Sequence, residues 1–455
     1  MERITEKIGD NLRGMTAIQI IVVFFATIIL IGAALLTLPI ASRAPGSEGF
    51  FTALFTSVSA ISGTGFTLGD IWEMWSPFGQ IVILILIEIG GLGYMSMMFV
   101  FLLLSKRKIS MKQRMVLAQT IGCEDIGGIV RVERWAFGNA ILVQAVGALL
   151  VMLAMLPRYG FRYALYMGIT NSVSSFCNCG LDFMGFSGAN VGLSNHLTDP
   201  WTLIPLMLLT LYGSIGFMVL YQIFHEHGFS RLNVYAKLVL ITTALLFVFG
   251  TVSYAVFEWD NPQTIANLNP MQKILFAMFQ SVNNHNTGFY IIDHGLMTEE
   301  SKALSCFLMF VGGSAGSTSG GIKTVTFAIL VLYAWNRIRA KRTITIYNRS
   351  ITDHQVLDAM TIAGLMGGLV LIVAVIVSAN SNINIGASIF TCISAIATCG
   401  LSIPVIAELG RLSQILLVIL MFFGRVGVLS ISLSFIFSNP AEERIQRAES
   451  KLIIG

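Results

Sequence analysis

The chain has 455 residues, 55% of them hydrophobic and 11% charged, with a formal net charge of +4. Soluble domains run at roughly 45–50% apolar and about 25% charged. This composition excludes a soluble globular protein and indicates an integral membrane protein; no nucleic-acid partner is expected.

Residues 1–16 are polar and mixed in charge. The first apolar run, 16–39, is too long for a signal-peptide core and lacks a convincing cleavage site, so it reads as a retained span. A shorter apolar run then ends in SVSAISGTGF (57–66), and a second long run follows at 78–104. The first unit is thus 17–104. A basic linker, 105–134, leads to a second unit, 135–224, with runs at 135–157 and 201–224 around NSVSSFCNCGL (171–181). After the linker 225–233 comes a third, 234–338, with runs at 234–257 and 302–335 around QSVNNHNTGF (280–289). After the linker 339–355 a fourth, 356–437, has runs at 356–379 and 412–437 around CISAIATCGL (392–401), and 438–455 closes the chain.

Gly65, Gly180, Gly288 and Gly400 recur at intervals of 115, 108 and 112 residues, a repeat too regular for chance. The long runs are near the roughly 20 residues that cross a bilayer. The run before each glycine is about 12, too short at 1.5 Å per residue, and must enter and return. The expected fold is an all-α integral membrane protein: four tandem span–pore helix–filter loop–span repeats, eight transmembrane helices around a central pore. The termini and inter-repeat linkers hold 20 of the 28 basic residues, which predicts cytoplasmic termini and filter loops opening outward at the cell membrane. The opposite face carries 11 acidic residues against six basic ones, a vestibule that concentrates cations.

Non-helical backbone persists at membrane depth only where protein buries it or water lines it. Four such loops around one axis can replace an ion's hydration shell with carbonyls, and glycine allows both the backbone conformation and the close approach. The predicted ion-binding residues are Gly63, Thr64 and Gly65; Asn178, Cys179 and Gly180; Asn286, Thr287 and Gly288; and Thr398, Cys399 and Gly400.

FVGGSAGSTSGGIKTVTF (310–327) lies inside the run 302–335. That run, at about 34 residues, would cover about 50 Å as a straight helix, so it is predicted to be a broken helix with a movable Gly/Ser centre, 311–321. The predicted gate comprises Gly312, Gly313, Gly316, Ser317, Thr318, Gly320, Gly321 and Lys323. Lys323, Arg425 and Glu88 are the ionisable residues within spans, each a functional candidate by default; Glu88 is a candidate either to partner one of the two cations or, protonated, to make a helix-packing hydrogen bond. GSTSGGIKT lacks the spacing and the preceding strand of a phosphate-binding loop, and HEH (225–227) lacks zinc spacing. A cysteine nucleophile with His285 lacks an orienting third group, so no enzyme activity is expected. A solute symporter would carry inverted repeats, whereas these begin on one side. The six cysteines, Cys123, Cys177, Cys179, Cys306, Cys392 and Cys399, are expected as free buried thiols.

With IGGLG (89–93) and GRVG (424–427), these motifs in this order resemble the membrane subunit of a bacterial Ktr potassium-uptake system, in the Trk/Ktr/HKT superfamily, over nearly the whole chain. The resemblance implies a K⁺ site at the four glycines; all four filter positions are Gly, where a serine in the first loop would be associated with sodium preference. It places Arg425 below the filter beside the gating loop. It implies a homodimer docked on a cytoplasmic ring of RCK-type nucleotide-binding regulatory subunits, with no nucleotide bound in this chain and Na⁺ as coupling or alternative ion. The basic linkers also suit anionic lipid. SGTGF, CNCGL and HNTGF depart from the family's usual loops; His285 stands where an arginine is common, with an equivalent holding role, and Glu88 where relatives carry Gln.

Overall fold

The computed structural model describes residues 17–93, 129–188, 192–226, 228–340, 345–347, 349–403 and 406–427. The N-terminal segment 1–16, most of the linker 105–134 with Cys123, residues 428–437 of the fourth unit and the C-terminal segment 438–455 lie outside the described residues.

The chain is built from helices in a recurring order. The first unit has α1 (Ala17–Thr37), α2 (Phe50–Ser62) and α3 (Pro77–Leu92). The second has α4 (Ile129–Phe176), α5 (Pro200–Ile215) and α6 (Phe217–His225). Within α4, Gly160 at φ +73° breaks the helix, so a long and a short arm follow one another as α1 and α2 do. The third has α7 (Val234–Glu258), α8 (Pro270–Val282), α9 (Glu299–Phe310) and α10 (Thr324–Ile338), and the fourth α11 (Asp353–Ser381), α12 (Ile385–Ile396) and α13 (Arg411–Val426). Local chemistry sets the starts. Ser76 caps α3 ahead of Pro77, Asn269 and Gln272 form a capping box on α8 ahead of Pro270, and Thr352 and Gln355 do the same on α11. Each such bond satisfies an N–H that the first turn leaves without a partner.

Four helices are long and apolar enough to cross a membrane, and the pair α5–α6, bent by 98°, makes a fifth. Their outward faces carry exposed Leu, Ile, Val and Phe, such as Leu142, Leu245 and Ile372, which suits hydrocarbon rather than water.

Within each unit the short helix packs on the long one. Between units, α3 meets α4, α5 meets α8, α9 meets α12 and α13 meets α2, which closes a circuit of four. The repeat extends to single atoms. Ser57, Ser172 and Ser281, on the short helices, donate to Ile29 O, Gln144 O and Phe247 O of the long ones at 2.8, 2.7 and 3.0 Å. Opposite them Gly32, Gly147 and Gly250 leave no room for a Cβ. In the fourth unit Cys392 takes the serine's place, eight residues before Gly400 as Ser57 is before Gly65. Close small-residue packing with a serine bond of about 1–2 kcal/mol suits helices in a medium that gives them no hydrophobic drive to associate.

Candidate functional site: a ring of four glycine loops above a broken helix

The short helices end on left-handed residues. Gly63 caps α2 at φ +71°, and Asn178 and Thr398 hold φ +53° at the same place, two residues before Gly180 and Gly400. The third unit differs. A π-helical turn, Asn283–Thr287, carries α8 to Gly288, and Asn286 lies within it. The ring glycines then take φ +87° (Gly65), +63° (Gly180), +77° (Gly288) and +99° (Gly400), where side chains are strained.

Their neighbours are arranged cyclically. A Cβ on Gly65 would strike Cys179 O; on Gly180, Thr287 O; on Gly288, Cys399 O; and on Gly400, Thr64 O. Each glycine thus lies against the carbonyl just before the next glycine, and the fourth returns to the first. Eight of the twelve predicted residues, the four ring glycines and the residue before each, thus meet in one ring from four distant segments.

Side chains of the short helices pin the loops. The Asn283 amide clamps Phe289, accepting from its N–H at 2.7 Å and donating to its carbonyl at 2.8 Å. Ser174 Oγ donates to Leu181 O at 3.3 Å, and Ser394 Oγ accepts from Gly400 N at 3.0 Å. Ser62 and Thr64 hydroxyls share a 2.6 Å bond, and Thr287 Oγ1 donates to Thr210 Oγ1 at 2.9 Å. The cysteine thiols turn away from one another: five described cysteines are free, four buried and Cys306 half-buried.

Below the ring the second helix of every unit carries Gly-x-x-Gly at or just past its end: 90–93, 213–216, 313–316 and 424–427. Gly90, Gly213 and Gly424 press on Ile61 O, Phe176 O and Ile396 O, the carbonyls four residues before the ring glycines. The described helices end at Gly93 (φ +62°), Gly216 (φ +93°) and Gly427 (φ +94°). The run 201–224, expected as one continuous span, is instead bent by 98° at Gly216; residues 94–104 and 428–437 of the runs 78–104 and 412–437 lie outside the described residues.

In the third unit α9 stops at Phe310 and α10 starts after Lys323, with a loop between. The loop closes on itself through Gly312 N to Ile322 O (2.8 Å) and Ile322 N to Phe310 O (3.0 Å). It also fills the α5–α6 bend: Ser314 N donates to Ser214 O (3.0 Å), Thr318 N to Gly213 O (3.1 Å) and Phe217 N to Gly316 O (3.0 Å). Two breaks in the helical ladder therefore supply each other's missing partners. Gly320 and Gly321 pack against Gly312, and Ser317 Oγ donates to Ser314 O at 2.7 Å. Lys323 Nζ donates back to Ser319 O at 2.8 Å. Arg425 donates to Thr318 O in the loop and to Gly90 O and Gly91 O, the last at 3.0 Å. Those two carbonyls end α3, where a cation complements the helix dipole.

A family model described as cation transport protein, TrkH, matches residues 4–447. The chain belongs to this family. It is 31% identical to the potassium/sodium uptake protein NtpJ of Enterococcus hirae, over 97% of this chain and 98% of that one. It is 30% identical to Ktr system potassium uptake protein B of Bacillus subtilis, over 96% of each. The crystal structure of the potassium transporter TrkH from Vibrio parahaemolyticus shares the fold, with a TM-score of 0.69 at 16% identity over 91% of this chain and 84% of that one.

Within this family fold, Glu88 does not pair with a cation among the described residues. Gln144 Nε2 donates to its two oxygens at 3.2 and 3.1 Å, and the Cys177 thiol donates at 3.4 Å. It lies one turn before the α3 break, where a polar knot between α3, α4 and the second loop serves packing better than ion pairing. His285 Nδ1 lies 3.3 Å from Leu308 O, a bond between the third loop and α9, while Nε2 is buried without a partner.

Away from the 311–323 loop, a cavity of about 480 Å³ is lined by all four ring glycines. Each unit lends it one carboxylate: Asp70, Asp182, Asp293 and Glu408. Asp70 also caps the one-turn helix Ile71–Met74, and Asp293 accepts from Gly295 N at 2.7 Å. Burial raises the pKa of Asp182 to about 6, and the nearby Asp70 charge adds to this against the Met184 N–H that its carboxylate accepts. The sequence reading saw an acidic face but not one carboxylate per unit.

Proposed function

We propose that the chain is the K⁺-translocating subunit of a bacterial uptake system, with eight spans in four repeats and cytoplasmic termini. K⁺ passes through the ring at Gly65, Gly180, Gly288 and Gly400, shedding water onto the surrounding carbonyls. The observation that carries this reading is the cyclic contact of each glycine with the next loop's carbonyl. It needs four glycines at once, and it supports a common axis. The 311–323 loop with Lys323 and Arg425 is the gate beneath, and the carboxylate-lined cavity is the outer vestibule. The names of the relatives, potassium uptake proteins among them, agree with K⁺ as the ion.

The relative named for potassium and sodium supports a second reading in which Na⁺ is coupled to, or carried in place of, K⁺. Relatives named as parts of a Ktr system support a multi-component assembly; within it we place a homodimer on a cytoplasmic nucleotide-binding ring, so nucleotide control would act in trans. Rubidium uptake by purified protein in liposomes tests the main reading. Wild-type protein should take up ⁸⁶Rb⁺ down an imposed potential, with reversal potentials favouring K⁺ over Na⁺, and Gly288→Ser should abolish uptake. Unchanged uptake in that variant would remove the filter from its place.

A further inference from the structure

The broken-helix loop touches the ring at two points, both at the same position of opposite filter loops. In the second and fourth loops the residue two before the ring glycine, Asn178 or Thr398, is held left-handed. Thr318 Oγ1 is 2.8 Å from the Asn178 amide and 3.0 Å from Phe176 O, all buried. The amide is satisfied at both ends when its oxygen faces Thr318 and its nitrogen donates to Ser175 O at 3.1 Å and Thr210 O at 3.2 Å. Across the ring, Gly320 sits so close to Thr398 Oγ1 and Ala397 O that no Cβ fits. Arg425 holds the Thr318 carbonyl, so one residue meets both the filter and the guanidinium.

A left-handed backbone at a residue other than glycine is strained and persists only where its surroundings hold it. At Asn178 the surroundings are three amide bonds, one of them to Thr318. Withdrawing the hydroxyl leaves a buried amide oxygen unpaired, a penalty that favours rearrangement of the second loop. The next residue, Cys179, supplies the carbonyl that faces Gly65.

We propose that Thr318 is a positioning residue of the filter: its hydroxyl fixes the second loop through Asn178, so that K⁺ over Na⁺ discrimination depends on where the broken-helix loop lies. Gate and filter are then one mechanical unit, and a displacement that breaks this bond relaxes selectivity as well as opening the path. The inference rests on the reading of the chain as a K⁺ pore.

The test is the reversal potential under bi-ionic K⁺/Na⁺ conditions for wild type, Thr318→Val, Thr318→Ser, Asn178→Gly and the Thr318→Val/Asn178→Gly pair. Valine keeps the size and loses the hydroxyl; serine restores it; glycine keeps the left-handed backbone without the amide. The K⁺/Na⁺ permeability ratio should fall at least about threefold in Thr318→Val and Asn178→Gly, stay at the wild-type value in Thr318→Ser, and fall no further in the pair than in the worse single. Wild-type selectivity in Thr318→Val, with only the size of the flux altered, would overturn the coupling. Should that variant fail to insert, Asn178→Gly decides, and a wild-type ratio there overturns the coupling equally. A wild-type protein without K⁺ preference would instead refute the pore reading itself.

Discussion

The ring and the layer beneath it are built from the same four repeats, yet only the ring is fourfold alike. In the ring every unit contributes one glycine at positive φ against the next unit's carbonyl. One layer lower, every unit carries Gly-x-x-Gly at or just past a helix end, but among the described residues the third unit alone has there a loop that bonds across to another unit and to Arg425. A cation needs ligands from all sides at equal distance, which rewards symmetry. A gate needs one element free to move against fixed neighbours, which rewards a single exception.

That contrast is broken most sharply in the ring. Adding a Cβ to Gly65, Gly180, Gly288 or Gly400 should act alike whichever is chosen. Overpacking costs typically 1–3 kcal/mol; if the ring relaxes away from its ion-binding shape by that much, ion affinity falls about 5–150-fold, so each alanine or serine variant should lose most ⁸⁶Rb⁺ uptake. One tolerant glycine among the four would show that the ring is less symmetric in function than in shape. Below the ring, only the third unit's exception should matter to control. Deleting residues 316–320 is expected to leave a conducting, poorly selective pore that no longer responds to cytoplasmic regulation; loss of all flux in a folded protein would show that the loop builds the path rather than closing it.

Packing glycines sharpen the comparison on the stability side. Gly213 and Gly424 abut backbone carbonyls, whereas Gly364, Gly367 and Gly368 on α11 have open space around a would-be Cβ. Alanine at Gly213 or Gly424 should lower the thermal stability of the detergent-solubilised protein by several degrees, from about 1–3 kcal/mol of overpacking. Alanine at Gly364 should be neutral or gain about 0.5–1 kcal/mol through helix propensity. Equal effects at the two kinds of site would mean that the close contacts relax at no cost.

The repeats were legible because membrane spans announce themselves as long apolar runs and a filter needs glycine at one place in each unit. The ring's membership followed from spacing, and so did the interruption of the third unit's long run. The bend at Gly216 was not legible, because apolar residues continue past it and a two-residue glycine pair scarcely disturbs hydropathy. Nor did a sequence of small polar residues disclose that Thr318 reaches Asn178, 140 positions away. Glu88 left two readings open, since charge within a span suggests either a countercharge or a packing hydrogen bond; an amide and a thiol from two other segments satisfy this carboxylate.

The smallest expected effect concerns the vestibule, where the fourfold pattern holds in charge but not in environment. Asp70, Asp182, Asp293 and Glu408 all line the cavity, but burial lifts Asp182 to a pKa of about 6. Above that pH it is ionised and adds to the field that gathers cations; below it, it is neutral and the local K⁺ concentration falls. Acidifying the outer side from pH 7.5 to 5.5 should therefore reduce uptake from low external K⁺ about twofold, with little change when K⁺ saturates the pore. Asp182→Asn should start at the lower rate and lose that pH dependence, while Glu408→Gln, altering an exposed carboxylate, should retain it. If both variants keep the wild-type pH profile, the acid effect arises in the ring itself, and the four carboxylates contribute only the steady field of a negative mouth.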